Sequence, residues 1–121
     1  MAVFVCWACW VLFSAGCFPR VSGDYVKNIS SAHPDVATGA MSQAAEKKST
    51  RSIVPLVKRL YDEDPVIRLS AIRALKDITG QDFGYRYYEP EVKRIEAIKR
   101  WEAWLVQQNL AVPAEQLESS E

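Results

Sequence analysis

The amino-acid sequence predicts an all-α domain in which a helical hairpin over residues 53–79 is capped by a third helix over residues 91–109. Three observations predict this fold. Apolar residues recur at helical spacing in each segment, an acidic turn ending in Pro65 separates the first two helices, and Gly80 ends the second. With 121 residues, of which 49% are hydrophobic and 25% charged, the chain has the composition of one small globular domain.

The first 17 residues form a separate segment, because they contain no charged side chain although the chain has 15 basic and 15 acidic residues. A helix of this length reaches about 25 Å, less than the hydrocarbon core of about 30 Å. Ser14-Ala15-Gly16-Cys17 resembles the lipobox of bacterial lipoproteins, in which small residues precede a lipid-bearing cysteine. The resemblance implies a signal peptide over residues 1–17 and lipidation at Cys17. An uncleaved membrane anchor and a buried N-terminal helix are the alternatives.

The cysteines and the single histidine predict no metal site and no cofactor. Cys6, Cys9 and Cys17 all lie in the leader, so no disulfide is expected after Cys17. Cys6 and Cys9 have CxxC spacing, but no second pair of ligands accompanies them, and we interpret them as apolar filler. His33 stands in a polar segment without companion ligands and is expected to be a solvated loop residue.

Two segments are predicted to lie outside the folded part. Prolines, glycines and short polar residues interrupt any apolar period in residues 18–50, which predicts a flexible tether with at most a weak helix over 41–48. Residues 111–121, with a proline and three glutamates, predict a disordered acidic tail. The helical domain is therefore expected over residues 51–110.

The first helix of the hairpin has one apolar face. Its members recur at intervals of three and four residues: Ile53, Leu56, Val57 and Leu60. Ser49, Thr50 or Ser52 is expected to cap it, and Pro55 falls in or near its first turn, where a missing amide hydrogen costs little.

The second helix is expected to begin at Pro65, with Asp64 as its N-cap, and to stop at Gly80. It is apolar over most of its circumference, which is typical of a helix packed on two or more sides. A narrow polar stripe remains, and we predict it as one part of a partner-binding surface: Ser70, Arg73 and Asp77.

The hairpin resembles one HEAT-type repeat. The resemblance is carried by the proline of the first helix, the Asp-rich turn, the Ile67-Arg68 pair and the spacing of Ala71, Ala74 and Leu75. It implies a short α-solenoid, and it implies that Asp62 and Arg68 form a structural pair, since an acidic turn residue bonds to the arginine of the second helix in that family.

A single repeat buries little apolar surface, because repeat proteins usually need about three units to form a continuous core. The third helix is the expected cap, and its apolar positions are Val92, Ile95, Ile98, Trp101, Trp104 and Leu105. A homodimer that stacks hairpin on hairpin is a further way to cover the repeat.

The segment between the second and third helices has four aromatic residues and two glycines in ten positions. Phe83 is expected to plug the open end of the solenoid. The other members either join this plug or form a recognition loop, since tyrosine and arginine dominate interface hot spots. We predict them as the second part of the partner-binding surface: Tyr85, Arg86, Tyr87 and Tyr88.

These features predict a membrane-tethered HEAT-repeat protein that acts as a protein–protein interaction module or scaffold without catalysis of its own. It is expected to bind another protein and to be lipid-anchored in the bacterial cell envelope, on a periplasmic or extracytoplasmic face. The alternative is a small ligand-binding or lyase-like HEAT protein that acts with a partner subunit. No catalytic set of residues falls in residues 51–110. Neutral net charge and interleaved acidic residues argue against nucleic-acid binding.

Overall fold

The computed structural model describes residues 24–110, which contain five α-helices and one short 3-10 helix and no strand. The helices are α1 (Tyr25–Asn28), α2 (Pro34–Glu46), α3 (Ile53–Arg59), α4 (Pro65–Thr79) and α5 (Glu91–Gln107), and the 3-10 turn Thr50–Ser52 precedes α3. The all-α class is therefore confirmed, with about five packed helices in place of the three expected.

The expectation of a flexible tether over residues 18–50 is wrong for its described part, because α1 and α2 belong to the packed domain. The buried face of α2 consists of small residues and one methionine: Ala37, Ala40, Met41 and Ala44. It packs against α4, and the short side chains allow the two helices to approach closely. His33 is exposed immediately before α2, as expected.

Helices α2 and α4 run in the same direction, and α3, which lies between them in the chain, runs in the opposite direction. At one end, Arg59 Nη2 donates to the Ser31 carbonyl at 2.9 Å, which places the start of α2 beside the end of α3. At the other end, Lys48 Nζ donates to the Asp77 carbonyl at 2.6 Å, which places the end of α2 beside the end of α4.

Helix α4 begins and ends at the predicted residues. The Asp64 side chain accepts from the Val66 amide at 2.9 Å, Pro65 is the first helical residue, and Gly80 stops the helix with φ +74°. The expected apolar face of α3 is also confirmed, since Ile53, Leu56, Val57 and Leu60 are all buried.

Helix α5 packs against α3 through a buried face that consists of Ala97, Ile98, Trp101 and Leu105. It ends at Gln107, two residues before the predicted end, and Asn109 there has φ +56°. Val92 was expected on the inner face but is 70% exposed. Because Pro90 starts the helix, Val92 lies in its first turn, at the edge of the packed face.

The leader 1–17 with Cys17 and the tail 111–121 lie outside the described residues. Within residues 24–110, no helix is both long enough and apolar enough to cross a bilayer.

Candidate protein-binding loop

The loop between α4 and α5, residues 80–90, has a defined conformation that begins with a tight turn. The Asp82 carboxylate accepts from the Gly84 amide at 2.8 Å and forms an ion pair with Arg86 at 3.5 Å. Phe83 and Gly84 both have positive φ, at +52° and +76°. The Gly84 amide lowers the pKa of Asp82 and the Arg86 and Lys76 cations add to the effect, whereas burial opposes it.

Two side chains of α5 hold this turn in place through hydrogen bonds to its main-chain carbonyls. Trp101 Nε1 donates to the Asp82 carbonyl at 3.2 Å, and Arg100 Nη1 donates to the Phe83 carbonyl at 2.6 Å. The Phe83 ring packs edge-on against Trp101, with centroids 4.7 Å apart, and lies 6.1 Å from Trp104. Phe83 and the two tryptophans thus form one aromatic cluster at the end of the core.

Tyr85 is a core residue and is therefore removed from the predicted partner-binding surface. It is 2% exposed, and its hydroxyl donates to the Leu60 carbonyl at 2.7 Å. That carbonyl lies at the end of α3, where the helix itself leaves oxygens without amide partners. Burial raises the pKa of the Tyr85 hydroxyl, so the neutral donor is the form present in the fold.

Arg68 holds the second half of the loop. Its guanidinium, 8% exposed, donates from Nε and Nη2 to the Tyr87 carbonyl and from Nη1 to the carbonyls of Asp62 and Glu63, at 2.7 to 3.1 Å. Arg68 and Asp62 are thus in contact, but through the main-chain oxygen of Asp62. The Asp62 carboxylate instead pairs with Arg59 at 2.9 Å.

Three side chains next to these hydrogen-bonded parts of the loop are exposed to solvent. Tyr88 is 69% exposed and stacks edge-on against half-buried Tyr87, with ring centroids 5.3 Å apart. Arg86 is exposed, and Val92 lies four residues beyond Tyr88 in the first turn of α5. Arg94 Nε donates to the Glu89 carbonyl at 3.0 Å, which fixes the path of the chain between them. We call Arg86, Tyr87, Tyr88 and Val92 the tyrosine surface.

The polar stripe of α4 extends away from the tyrosine surface. Ser70 is half-buried, whereas Arg73 and Asp77 are exposed. Asp77 lies at the end of α4 that contacts Lys48, and Tyr87 lies beside Arg68 near the start of α4. Nine residues of helix separate these ends by about 14 Å. Asp77 is therefore distant from the tyrosine surface, whereas Ser70 lies only two residues from Arg68.

A shallow groove on α2 is the feature that the sequence interpretation missed. It encloses about 280 Å³ and is lined by Asn28, Asp35, Val36, Gly39, Ala40 and Gln43. The sequence predicts a tether in this segment, and it therefore predicts no binding surface there. Asp35 is the sole ionisable residue in the lining, and residues 24–110 contain no cluster of three or more His, Cys, Asp or Glu side chains arranged to hold a metal ion.

Comparison with protein-family models, with curated proteins and with solved structures gave no match. The described residues form a small all-helical domain, and the feature of its surface best suited to recognition is the tyrosine surface, where exposed apolar groups stand on a fastened loop.

Proposed function

We propose that the chain is a membrane-tethered protein–protein interaction module, without catalysis of its own, that binds another protein through the tyrosine surface. The observation that carries the proposal is the contrast within residues 80–92. Four side chains fasten the main chain of this segment, namely Arg68, Arg94, Arg100 and Trp101, while Tyr88 and Val92 remain largely in solvent.

A loop that is already held in one conformation suits recognition. Immobilising flexible side chains on binding weakens the binding free energy by about 0.5–1.5 kcal/mol for each side chain. Tyrosine and arginine are also the residue types that contribute most at interface centres. The exposed ring of Tyr88 and the carbon chain of Val92 offer apolar contact area, and Arg86 offers donors at their edge.

We infer that α3 and α4 form a HEAT-type hairpin, and the direction of the helices supports this. In an α-solenoid the second helices of successive repeats stack in parallel, which is the relation of α2 to α4. Helix α2 would then be the second helix of a shortened preceding repeat. Arg68 bonds to the turn after α3 through the carbonyls of Asp62 and Glu63, although the Asp62 carboxylate itself pairs with Arg59.

The tether is proposed from the leader alone, with Cys17 as the lipidated residue and a bacterial envelope as the location. Intact mass of the protein recovered from a membrane fraction tests it. We expect a chain that begins at Cys17 and carries acyl mass, and we expect Cys17→Ser to lose that mass. An unprocessed, unacylated wild-type chain would contradict lipidation.

Site-specific photo-crosslinking in intact cells tests the binding surface. A benzophenone amino acid at Tyr88 should give a discrete adduct, and the same group at the exposed position Val106, at the opposite end of α5, should not. Val92→Asp should abolish the Tyr88 adduct without changing the melting temperature, because Val92 is exposed. Equal adducts at both positions, or an adduct unaffected by Val92→Asp, would contradict the assignment. An adduct of twice the chain mass would identify a homodimer.

A further inference from the structure

The turn between α2 and α3 presents positive charge at the point where the chain enters the domain. Residues 47–59 contain five basic residues and no acidic one, although Glu46 directly precedes them and Lys58 and Arg59 lie at the far end of α3. Three of these cations stand close together in sequence, are all exposed, and are called here the entry cations: Lys47, Lys48 and Arg51.

Contacts of α1 place Lys47 and the turn that follows it beside the first described residues. The Lys47 ammonium lies 4.7 Å from the centre of the Tyr25 ring, and the Tyr25 hydroxyl donates to Ser49 Oγ at 3.1 Å. The Lys48 ammonium donates to the Asp77 carbonyl, so this lysine is held at the end of α4. Within residues 24–110, none of the entry cations forms an ion pair with a carboxylate.

The length of chain between Cys17 and the domain is short. Only residues 18–23 separate Cys17 from Asp24, which caps α1. Even fully extended, this connection spans about 25 Å. A lipid on Cys17 would therefore hold Asp24 within about 25 Å of the bilayer surface and Tyr25, one residue later, within about 29 Å. The Lys47 ammonium lies against the Tyr25 ring, so the entry cations are held near the membrane as well. The tether expected from the sequence, with more than 30 residues, would have imposed no such limit.

We propose that Lys47, Lys48 and Arg51 dock this domain onto the anionic lipid headgroups of the membrane to which the leader attaches it. The proposal rests on the tethering proposed above. Positive side chains near an anionic surface favour the docked state by about fivefold each. The nearby acidic residues Asp24, Glu46 and Asp77 reduce this attraction, whereas the exposed lysines Lys27 and Lys76, in the last turns of α1 and α4, add to it. Docking would leave the tyrosine surface free, because that surface lies toward the opposite end of α4.

Lysine footprinting of the full-length chain on vesicles tests the docking. The chain is bound to vesicles of phosphatidylcholine alone or of phosphatidylcholine mixed with phosphatidylglycerol, and acetylation of each lysine is followed by mass spectrometry. We expect Lys47 and Lys48 to react several-fold more slowly on the anionic vesicles, and high salt to remove the difference. The exposed lysines of α5, Lys93 and Lys99, should react equally on both.

Arg51→Gln leaves both reporter lysines in place and should lower the ratio of docked to undocked protein by about fivefold. Lys93→Gln removes the same charge from α5 and should change nothing. Equal reaction of Lys47 and Lys48 on both vesicle types would overturn the docking while leaving the tether intact. Equal protection on both would also overturn it, since headgroup charge would then have no part. A chain that sediments with neither vesicle would contradict the tether itself.

Discussion

The guanidinium of Arg68 donates from both Nε and Nη2 to the main-chain carbonyl of Tyr87, at 3.1 and 2.9 Å. The same group donates from Nη1 to two carbonyls of the α3–α4 turn. One buried cation thus joins two loops that are distant in sequence, and within residues 24–110 it forms no ion pair with a carboxylate. The conformation of the tyrosine surface depends on these hydrogen bonds of Arg68.

Replacing Arg68 should destabilise the domain strongly. Arg68→Ala leaves the carbonyls of Asp62, Glu63 and Tyr87 without this donor in a partly buried position, and we expect a loss of about 3 kcal/mol in the free energy of unfolding. Urea denaturation measures it. Arg73→Ala, at an exposed position of the same helix, is the control and should change stability by less than about 0.5 kcal/mol. Equal effects of the two variants would contradict the role of Arg68.

The two glycines of the loop should respond differently to alanine. Gly80 and Gly84 have nearly the same φ, +74° and +76°, so each Cβ adds strain of about 1 kcal/mol. A Cβ at Gly80 meets nothing within 4 Å, whereas one at Gly84 would lie 3.2 Å from Arg100 Nη1. Gly84→Ala should therefore cost about 1 kcal/mol more in unfolding free energy, because it displaces the donor to the Phe83 carbonyl.

Removing the Arg100 side chain tests whether its contact with the new Cβ causes the extra cost of Gly84→Ala. In an Arg100→Ala background, Gly84→Ala should cost only what Gly80→Ala costs, and the double-mutant cycle gives the coupling energy. An unchanged cost would show that the contact with Arg100 is not the cause.

Substitutions in α2 should distinguish a packed helix from a tether. Gly39 is exposed in the helix interior with open space around its Cα, so Gly39→Ala should stabilise the domain by about 0.5–1 kcal/mol through helix propensity. Ala44 is fully buried, so Ala44→Leu should destabilise it by about 1–3 kcal/mol through overpacking. Thermal unfolding measures both. If neither variant moves the melting temperature, α2 does not pack on α4 in solution.

Asp82 should make the stability of the domain depend on pH in the acid range. Its folded pKa lies below the ordinary value of 3.8, chiefly because the Gly84 amide donates to the carboxylate. The stabilising contribution is therefore present above about pH 3.8 and is lost as the pH falls through the lowered pKa. Asp82→Asn keeps an acceptor for Gly84 but does not titrate. Its melting temperature should lie below that of the wild type at neutral pH, and the difference should shrink as the pH falls. A constant difference would contradict this assignment.

Helices whose signals lie within a few neighbouring residues were predicted correctly from the sequence. Asp64, Pro65 and Gly80 define α4, because an N-cap carboxylate, a proline in the first turn and a left-handed glycine act within a few residues. The apolar face of α3 and the span of α5 followed from helical period. In α2, Ala37, Ala40, Met41 and Ala44 have the same period, but small side chains carry a weak hydrophobic signal, and prolines and glycines around them favoured a tether.

Tertiary structure alone decided which residues of the 80–90 loop face solvent. Tyr85 and Tyr88 are chemically identical and three residues apart, yet one is 2% exposed and the other 69%. The difference arises because the Leu60 carbonyl accepts from Tyr85 and the Arg68 guanidinium fixes the main chain at Tyr87, and both partners are distant in sequence. The same holds for Lys47, which lies beside Tyr25 because α1 packs on α2. Burial depends on partners that the local sequence does not specify.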